Sequence, residues 1–249
     1  MSGPENLNSL HVDIVFDGGD LDCGSGLVLL IRENMLAVPD GGILEMRSSE
    51  PTVRDDLPPW CRMVGHEFLG ELSDDSTVVR YFVRKGAAAA KAETAALAED
   101  KRRAADYEWR LRVRTTGRLE ATAYCRNFSF MAGQPASFEK KDSHPSSLEL
   151  LLGSLGTALA TGFASEASRA GLEIDDVELT VRGKLGNPLA HLGIGEGDPG
   201  LIRAEVKCFA TTMAEEAGVR EAWRLALERS PVAVTIGRAA ELDARLVIL

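Results

Sequence analysis

The sequence predicts an α+β protein in two domains, and three observations carry that reading. Residues 1–85 alternate strand-like and helix-like patterns, residues 86–108 turn abruptly alanine-rich and charged, and residues 109–249 run strands, then one long apolar helix, then strands again. With 249 residues and 45% hydrophobic content, the chain can bury two ordinary cores.

In the first domain, Leu10 to Asp17 reads as a strand. Leu27, Leu30, Ile31 and Met35 then recur at i, i+3, i+4 and i+8, one face of a helix. Cys23 stands immediately before that helix, in Leu21-Asp22-Cys23-Gly24-Ser25-Gly26-Leu27. A sulfur at a helix N-terminus meets unpaired N–H groups and the positive end of the macrodipole, which favour the thiolate. Asp17, Asp20 and Asp22 oppose this, because like charge raises a thiol pKa. Gly41 to Met46 gives a further strand and Asp55 to Val64 a second helix, with Asp55 and Asp56 complementing its dipole. Cys61 shares a helix face with Leu57, Trp60 and Val64 and is expected in the core.

From Gly86 to Ala105 the chain has high helix propensity but almost no large apolar residue besides Leu97. The expectation is a helical spacer without a docking face, holding the domains about 30 Å apart. In the second domain, Leu119–Phe130 and Ala136–Lys140 read as a hairpin around Met131 to Pro135. Leu148 to Arg169 reads as a helix with Ser146 and Ser147 near its N-cap, apolar enough to predict burial on nearly every side of its first four turns. Val177–Arg182 and Ile202–Cys208 alternate as half-buried strands, Val219, Trp223 and Ala226 mark another helix, and Ala244–Ile248 closes with a strand. Cys208 lies on an apolar strand face, and Cys125 on a small-residue face with Ala121 and Ala123.

A formal net charge of −10 argues against nucleic acid or an anionic membrane as partner. The sequence opens without a signal-peptide pattern, and the apolar run Leu150–Ala164 is short for a membrane span. Cysteines at 23, 61, 125 and 208 show neither metal-ligand nor disulfide-framework spacing, so a reducing, cytoplasmic setting is expected. His66, His144 and His191 have no ligand spacing, and no metal or cofactor is expected. Gly193 to Gly200 contains Gly-x-Gly but no helix start follows and two acids lie inside, so it reads as a mobile loop, not a phosphate cradle.

Two family resemblances add to this. The segment around Cys23-Gly24-Ser25-Gly26, followed by Gly41–Met46 and by Asp55 to Glu67 with its Gly65-His66, resembles TusA/SirA-type sulfur carriers over residues 8–85. Their hallmark Cys-Pro-x-Pro keeps its cysteine here and has glycine at both prolines, which removes the φ restraint of proline. The resemblance implies a two-layer α/β sandwich, a persulfide carried on Cys23, and protein sulfur donors and acceptors. Residues 110–249 resemble the OsmC/Ohr family through His144-Pro145-Ser146-Ser147-Leu148-Glu149-Leu150-Leu151-Leu152-Gly153-Ser154-Leu155-Gly156-Thr157-Ala158-Leu159 and Ser230-Pro231-Val232. This implies an α+β domain with a central buried helix and an intertwined homodimer. The family's two peroxidatic cysteines fall on Ala158 and Ser230, and Arg118 and Glu149 are candidates for the residues that tune the first thiol. Without either sulfur, peroxide reduction by that route is not expected. The leading expectation is sulfur relay by a sulfurtransferase-like carrier. The alternative is a binding protein that holds an apolar molecule against the Leu148–Phe163 helix without thiol chemistry.

Overall fold

The apolar alternation of Ile14 and Phe16, and of Leu44 and Met46, puts one face of each strand against the helices Leu27–Ala37 and Val53–Val64. In the computed structural model, which describes residues 7–22, 26–73, 77–86, 89–137 and 142–249, the chain forms two units, Met1–Tyr107 and Glu108–Leu249. The first contains β1 (Ile14–Gly19), α1 (Leu27–Ala37), β2 (Ile43–Ser48), α2 (Val53–Val64), β3 (Glu67–Ser73), β4 (Val79–Arg84) and α3 (Ala89–Ala105). Its sheet runs β1-β2-β4-β3, with β1 parallel to β2 and the other pairs antiparallel. Leu27, Ile31 and Met35 of α1 join Leu44, Met46, Leu57, Cys61 and Tyr81 in a closed core. The first strand starts later than Leu10. The Asp13 carboxylate accepts the Ile43 N–H at 2.7 Å, taking a donor that an earlier start of pairing would need.

The alanine-rich segment is a helix, but not a free spacer. It packs on α1 within the first unit: Leu97 is 4% exposed, Asp100 pairs with Arg32 at 3.3 Å, and Lys101 bonds Glu33 at 3.0 Å. The docking joins one buried leucine to two ion pairs, which is why a search for an apolar stripe overlooks it. Arg32 is itself buried and stands over the Trp60 ring, so Asp100 supplies charge that a buried guanidinium requires.

The second unit opens with an antiparallel meander, β5 (Arg112–Gly117), β6 (Glu120–Cys125) and β7 (Phe128–Ala132), ordered β5-β6-β7. The hairpin turn falls at Arg126–Asn127, not at Met131–Pro135; Arg126 takes φ 52, and Cys125 pairs with Phe128. A left-handed arginine is an uncommon turn residue, so the stronger Gly-Gln-Pro signal drew the expectation away. Residues 138–141, the end of that expected hairpin, lie outside the described residues. There follow α4 (Ser147–Arg169), β8 (Asp176–Leu185), α5 (Pro188–His191), β9 (Leu201–Thr211), α6 (Glu216–Arg229), α7 (Pro231–Ala239) and β10 (Glu241–Ile248). The second sheet is β10-β9-β8, antiparallel between β8 and β9 and parallel between β9 and β10. Helix α7 was not expected. Its signal is Ser230-Pro231, an N-cap serine followed by proline at the first helical position.

Leu155, Leu159, Phe163 and Ala167 of α4 form one buried stripe against α6 and the sheet, and Glu166 at its far end accepts from Arg229 at 2.7 Å. The rest of the helix is only partly covered by the described residues. Leu151 is 42% exposed, and Gly153, Ser154, Thr157 and Thr161 face outward, so burial on nearly every side does not hold for a single chain. By length and composition α4 could cross a membrane, but it is the central helix of this packed unit.

Candidate functional site

The strand-to-helix turn between β1 and α1 is built from close approach and backbone pairing. A Cβ on Gly18 would lie 2.7 Å from Leu27 Cδ1, so glycine is what lets the strand end pass under the first turn of α1. Ser48 Oγ donates to the Gly19 carbonyl at 3.0 Å, and Ser49 N–H to the same oxygen at 3.2 Å, tying the loop to the end of β2. Leu27 N–H donates to the Asp22 carbonyl at 3.3 Å, bringing the two flanks of residues 23–25 together. Cys23, Gly24 and Ser25 lie outside the described residues, so the geometry concerns the frame that holds them.

That frame has two features that bear on a thiol. The N-cap of α1 is Gly26 at φ 108, a conformation favouring glycine, and among the described residues no side chain caps the helix. Its first amide, the Leu27 N–H, is taken by the Asp22 carbonyl, and the Leu29 N–H bonds the Gly26 carbonyl at 3.0 Å. The nearby carboxylates are engaged: Asp17 accepts the Gly19 N–H at 2.7 Å and Asp20 accepts from Ser49 Oγ. These bonds fix the two side chains within the loop, and their charge opposes an anionic sulfur as the sequence suggests.

The other cysteines are enclosed to different degrees. Cys61 and Cys208 are fully buried, and burial pushes the Cys208 thiol up to about 11. Cys125 is half-buried on β6, beside Ala123. His66 packs at 5.9 Å from Trp60 and accepts the Gly86 N–H on Nδ1 at 3.2 Å, a structural role at the end of β4. His144 lines a small recess with Arg118 and Asp142, whereas His191 ends α5. Among the described residues, no group of three or more His, Cys, Asp or Glu side chains could hold a metal ion. The loop from Gly193 to Gly200 is pinned by Asn187, whose Nδ2 donates to the Glu196 carbonyl at 2.6 Å and whose N–H donates to Asp198 O at 2.7 Å.

In the second unit, the positions of the expected chemistry are taken up by structure. Glu149 closes a capping box: its carboxylate accepts Ser146 N–H and Ser146 Oγ, both at 2.7 Å, and its own N–H donates back to Ser146 Oγ at 3.2 Å. The Ser146 side-chain and backbone bonds hold the Glu149 carboxyl below the ordinary range. Arg118 sits exposed at the β5–β6 turn, and no ion pair joins it to Glu149 among the described residues. Ser230 is buried and caps α7, accepting the Ala233 N–H at 3.2 Å. Ala158 is half-buried beside Leu159 and presents only a methyl group. A groove of about 490 Å³ runs between α4 and β8, lined by Leu152, Gly156, Ala160, Val177, Leu179 and Val181 and open to solvent.

Known proteins match the two halves separately. The sulfur carrier protein TusA of Pseudomonas savastanoi pv. phaseolicola is 31% identical over 81 residues, 94% of that protein and 32% of this chain. TusA of Pseudomonas syringae pv. tomato is 32% identical over the same shares. The chain belongs to the TusA family. Beyond that segment, the OsmC-like protein family matches residues 140–245. An OsmC-like protein from Mycoplasma pneumoniae superposes with TM-score 0.50 at 15% identity, over 58% of this chain and 99% of that one, a likeness of fold. The molecule is a TusA-like half fused to an OsmC-like half, and its α+β architecture is the one the sequence predicts.

Proposed function

We propose that this protein relays sulfur, carrying it as a persulfide on Cys23. The observation that carries the reading is the N-terminus of α1, framed by Asp22 and Gly26 and without a side-chain cap among the described residues, in the half that belongs to the TusA family. The Cys23 thiolate attacks the outer sulfur of a donor persulfide; the donor S–S bond breaks, the donor leaves as thiolate, and a new S–S bond forms at Cys23. An acceptor nucleophile then takes that outer sulfur and restores the Cys23 thiolate, with no net oxidation in the transfer to a thiol. Donor and acceptor are proteins with accessible sulfur chemistry. The positive end of the helix dipole favours the anionic sulfur at both steps.

The OsmC-like half serves as a dimerisation module and not as a peroxidase. Ala158 and Ser230 hold no sulfur, and Ser230 is committed to capping α7. A second copy would cover the apolar surface that one chain leaves open: Val113 (62%), Phe128 (60%) and Phe130 (44%) on the meander, and Leu151 on α4. The groove beside α4 supports a second reading, capture of an apolar small molecule, because aliphatic side chains make up most of its wall, alongside Glu149 and Thr157. Intact-mass measurement after incubation with a persulfide donor separates the two. A gain of one sulfur atom, lost in Cys23→Ser, supports relay. No gain, together with an apolar molecule retained through purification, supports the binding protein.

A further inference from the structure

Helix α3 is held to α1 by few contacts, and those contacts have an order. Leu97 is buried, whereas Ala95, Ala98 and Glu99 around it are exposed. Three residues after the leucine, Asp100 reaches Arg32 at 3.3 Å, and the next residue, Lys101, reaches Glu33 at 3.0 Å. Consecutive charges on α1, Arg32 then Glu33, thus meet consecutive charges of opposite sign on α3. Beneath them Trp60 of α2 is 7% exposed, with the Arg32 guanidinium 5.9 Å from its ring centre. The surface that α3 covers is an aromatic floor with a cation over it and a carboxylate beside the cation.

The core of the first unit does not depend on this cover. Leu97 lies outside the closed cluster of Leu27, Ile31, Met35, Leu44, Leu57 and Trp60. The Lys101–Glu33 pair is more than half exposed on both sides, where water and salt screen it. An alanine-rich helix of 17 residues also keeps part of its helical shape off the surface. So α3 can leave without opening the core. Asp100, in contrast, answers a guanidinium that burial leaves poorly hydrated, and the vacated surface calls for another carboxylate.

We infer that this face of α1 is a receptor for a helix of a partner protein, one that carries a leucine, a carboxylate three residues later and a base directly after it, and that α3 occupies the receptor as an internal competitor. A nucleic acid or a wholly acidic peptide suits Arg32 but also brings negative charge to Glu33, which is exposed beside it and takes a base. A purely apolar helix leaves the Arg32 guanidinium without an anion. Only the mixed pattern, the one α3 itself displays, answers leucine site, cation and carboxylate together. Sulfur relay through Cys23 neither requires this receptor nor is required by it.

A synthetic helix tests the receptor on the full-length chain. Leu97→Ala/Asp100→Ala releases α3, and the probe is an alanine–glutamine host helix bearing one leucine, an aspartate three residues on and a lysine next to it. Binding is read by NMR from the Trp60 indole N–H. The released variant is expected to bind the probe at least about tenfold more tightly than wild type, because docked α3 lowers the fraction of chains open to it. Changing the probe's aspartate to alanine weakens that binding about tenfold, and its lysine to glutamate about threefold. Equal affinity of the two chains overturns the competition by α3, and no binding by the released variant overturns the receptor. Binding indifferent to the aspartate makes the face a plain apolar groove, and binding strengthened by the glutamate makes it an acidic-peptide site; either result overturns the inference. Hydrogen exchange on β2 and β4 is expected to stay as slow in the variant as in wild type, and loss of that protection would show that α3 is part of the core and not a displaceable cover.

Discussion

Two helix N-termini in this molecule are built in opposite ways. At α4, Ser146 and Glu149 satisfy one another's backbone amides and bring a carboxylate into the first turn, so the local positive potential is already used. At α1, Gly26 supplies the conformation without a side-chain acceptor. The first arrangement stabilises a helix; the second leaves a site where an anion brought by the chain or by a partner gains from the helix. The polar residues of the OsmC-like half are spent on structure.

The largest effect that would sharpen this contrast is loss of sulfur loading. Cys23→Ser is expected to abolish the mass gain from a persulfide donor, whereas Cys125→Ser leaves it unchanged; equal loading in both variants would mean the α1 terminus is not the site. Next is alkylation. At about pH 8, Cys23 is expected to react at least about a hundredfold faster than Cys208, whose burial pushes its thiol up to about 11. Peptide mass mapping over time measures both rates. Cys208 labelling as fast as Cys23 in the native protein would remove the claim that helix position selects the thiol.

The halves also differ in what a single chain completes. The first closes its core and covers Arg32 with Asp100, whose side chain is 27% exposed against 10% for Arg32. Removing the acid leaves a poorly hydrated guanidinium, so Asp100→Ala should destabilise the first unit by about 1–3 kcal/mol. Lys101→Ala, which breaks an exposed pair, should cost at most about 0.5 kcal/mol. Urea titration with hydrogen exchange read at α1 distinguishes them. Equal small effects would return α3 to the role of a loose spacer.

Much of this was legible in the residues. The Leu27, Ile31, Met35 stripe set α1 against its sheet, and Ser146 three residues before Glu149 marked the start of α4. What escaped depended on long-range partners. Leu97 alone gives no stripe, and the Arg32–Asp100 pair joins positions that no local window compares. Arg126 turns a hairpin through a backbone conformation its residue type seldom adopts. The apolar character of α4 was plain, but composition cannot say whether cover comes from the same chain or another. For the proposed site, the sequence puts Cys23 just before α1, and residues 23–25 lie outside the described residues. That Ser230 is a cap required the helix that follows it.

The smallest expected effect tests the capped terminus itself. Glu149→Gln keeps an acceptor at the same place but removes the charge, and should cost about 0.5 kcal/mol at neutral pH. The Glu149 carboxyl is held below its ordinary range by the Ser146 side chain and then by the Ser146 backbone. A depressed folded pKa gives stability that is fully present above the unfolded value of about 4.3 and is lost as pH falls through the lower folded value. Wild type and Glu149→Gln should therefore differ at pH 7 and converge in acid, below the ordinary glutamate range. Thermal unfolding followed at α4 across that range reads the convergence. A difference that stays constant into acid would mean the glutamate contributes shape and not charge, and the contrast with the uncapped α1 would then rest on the amides alone.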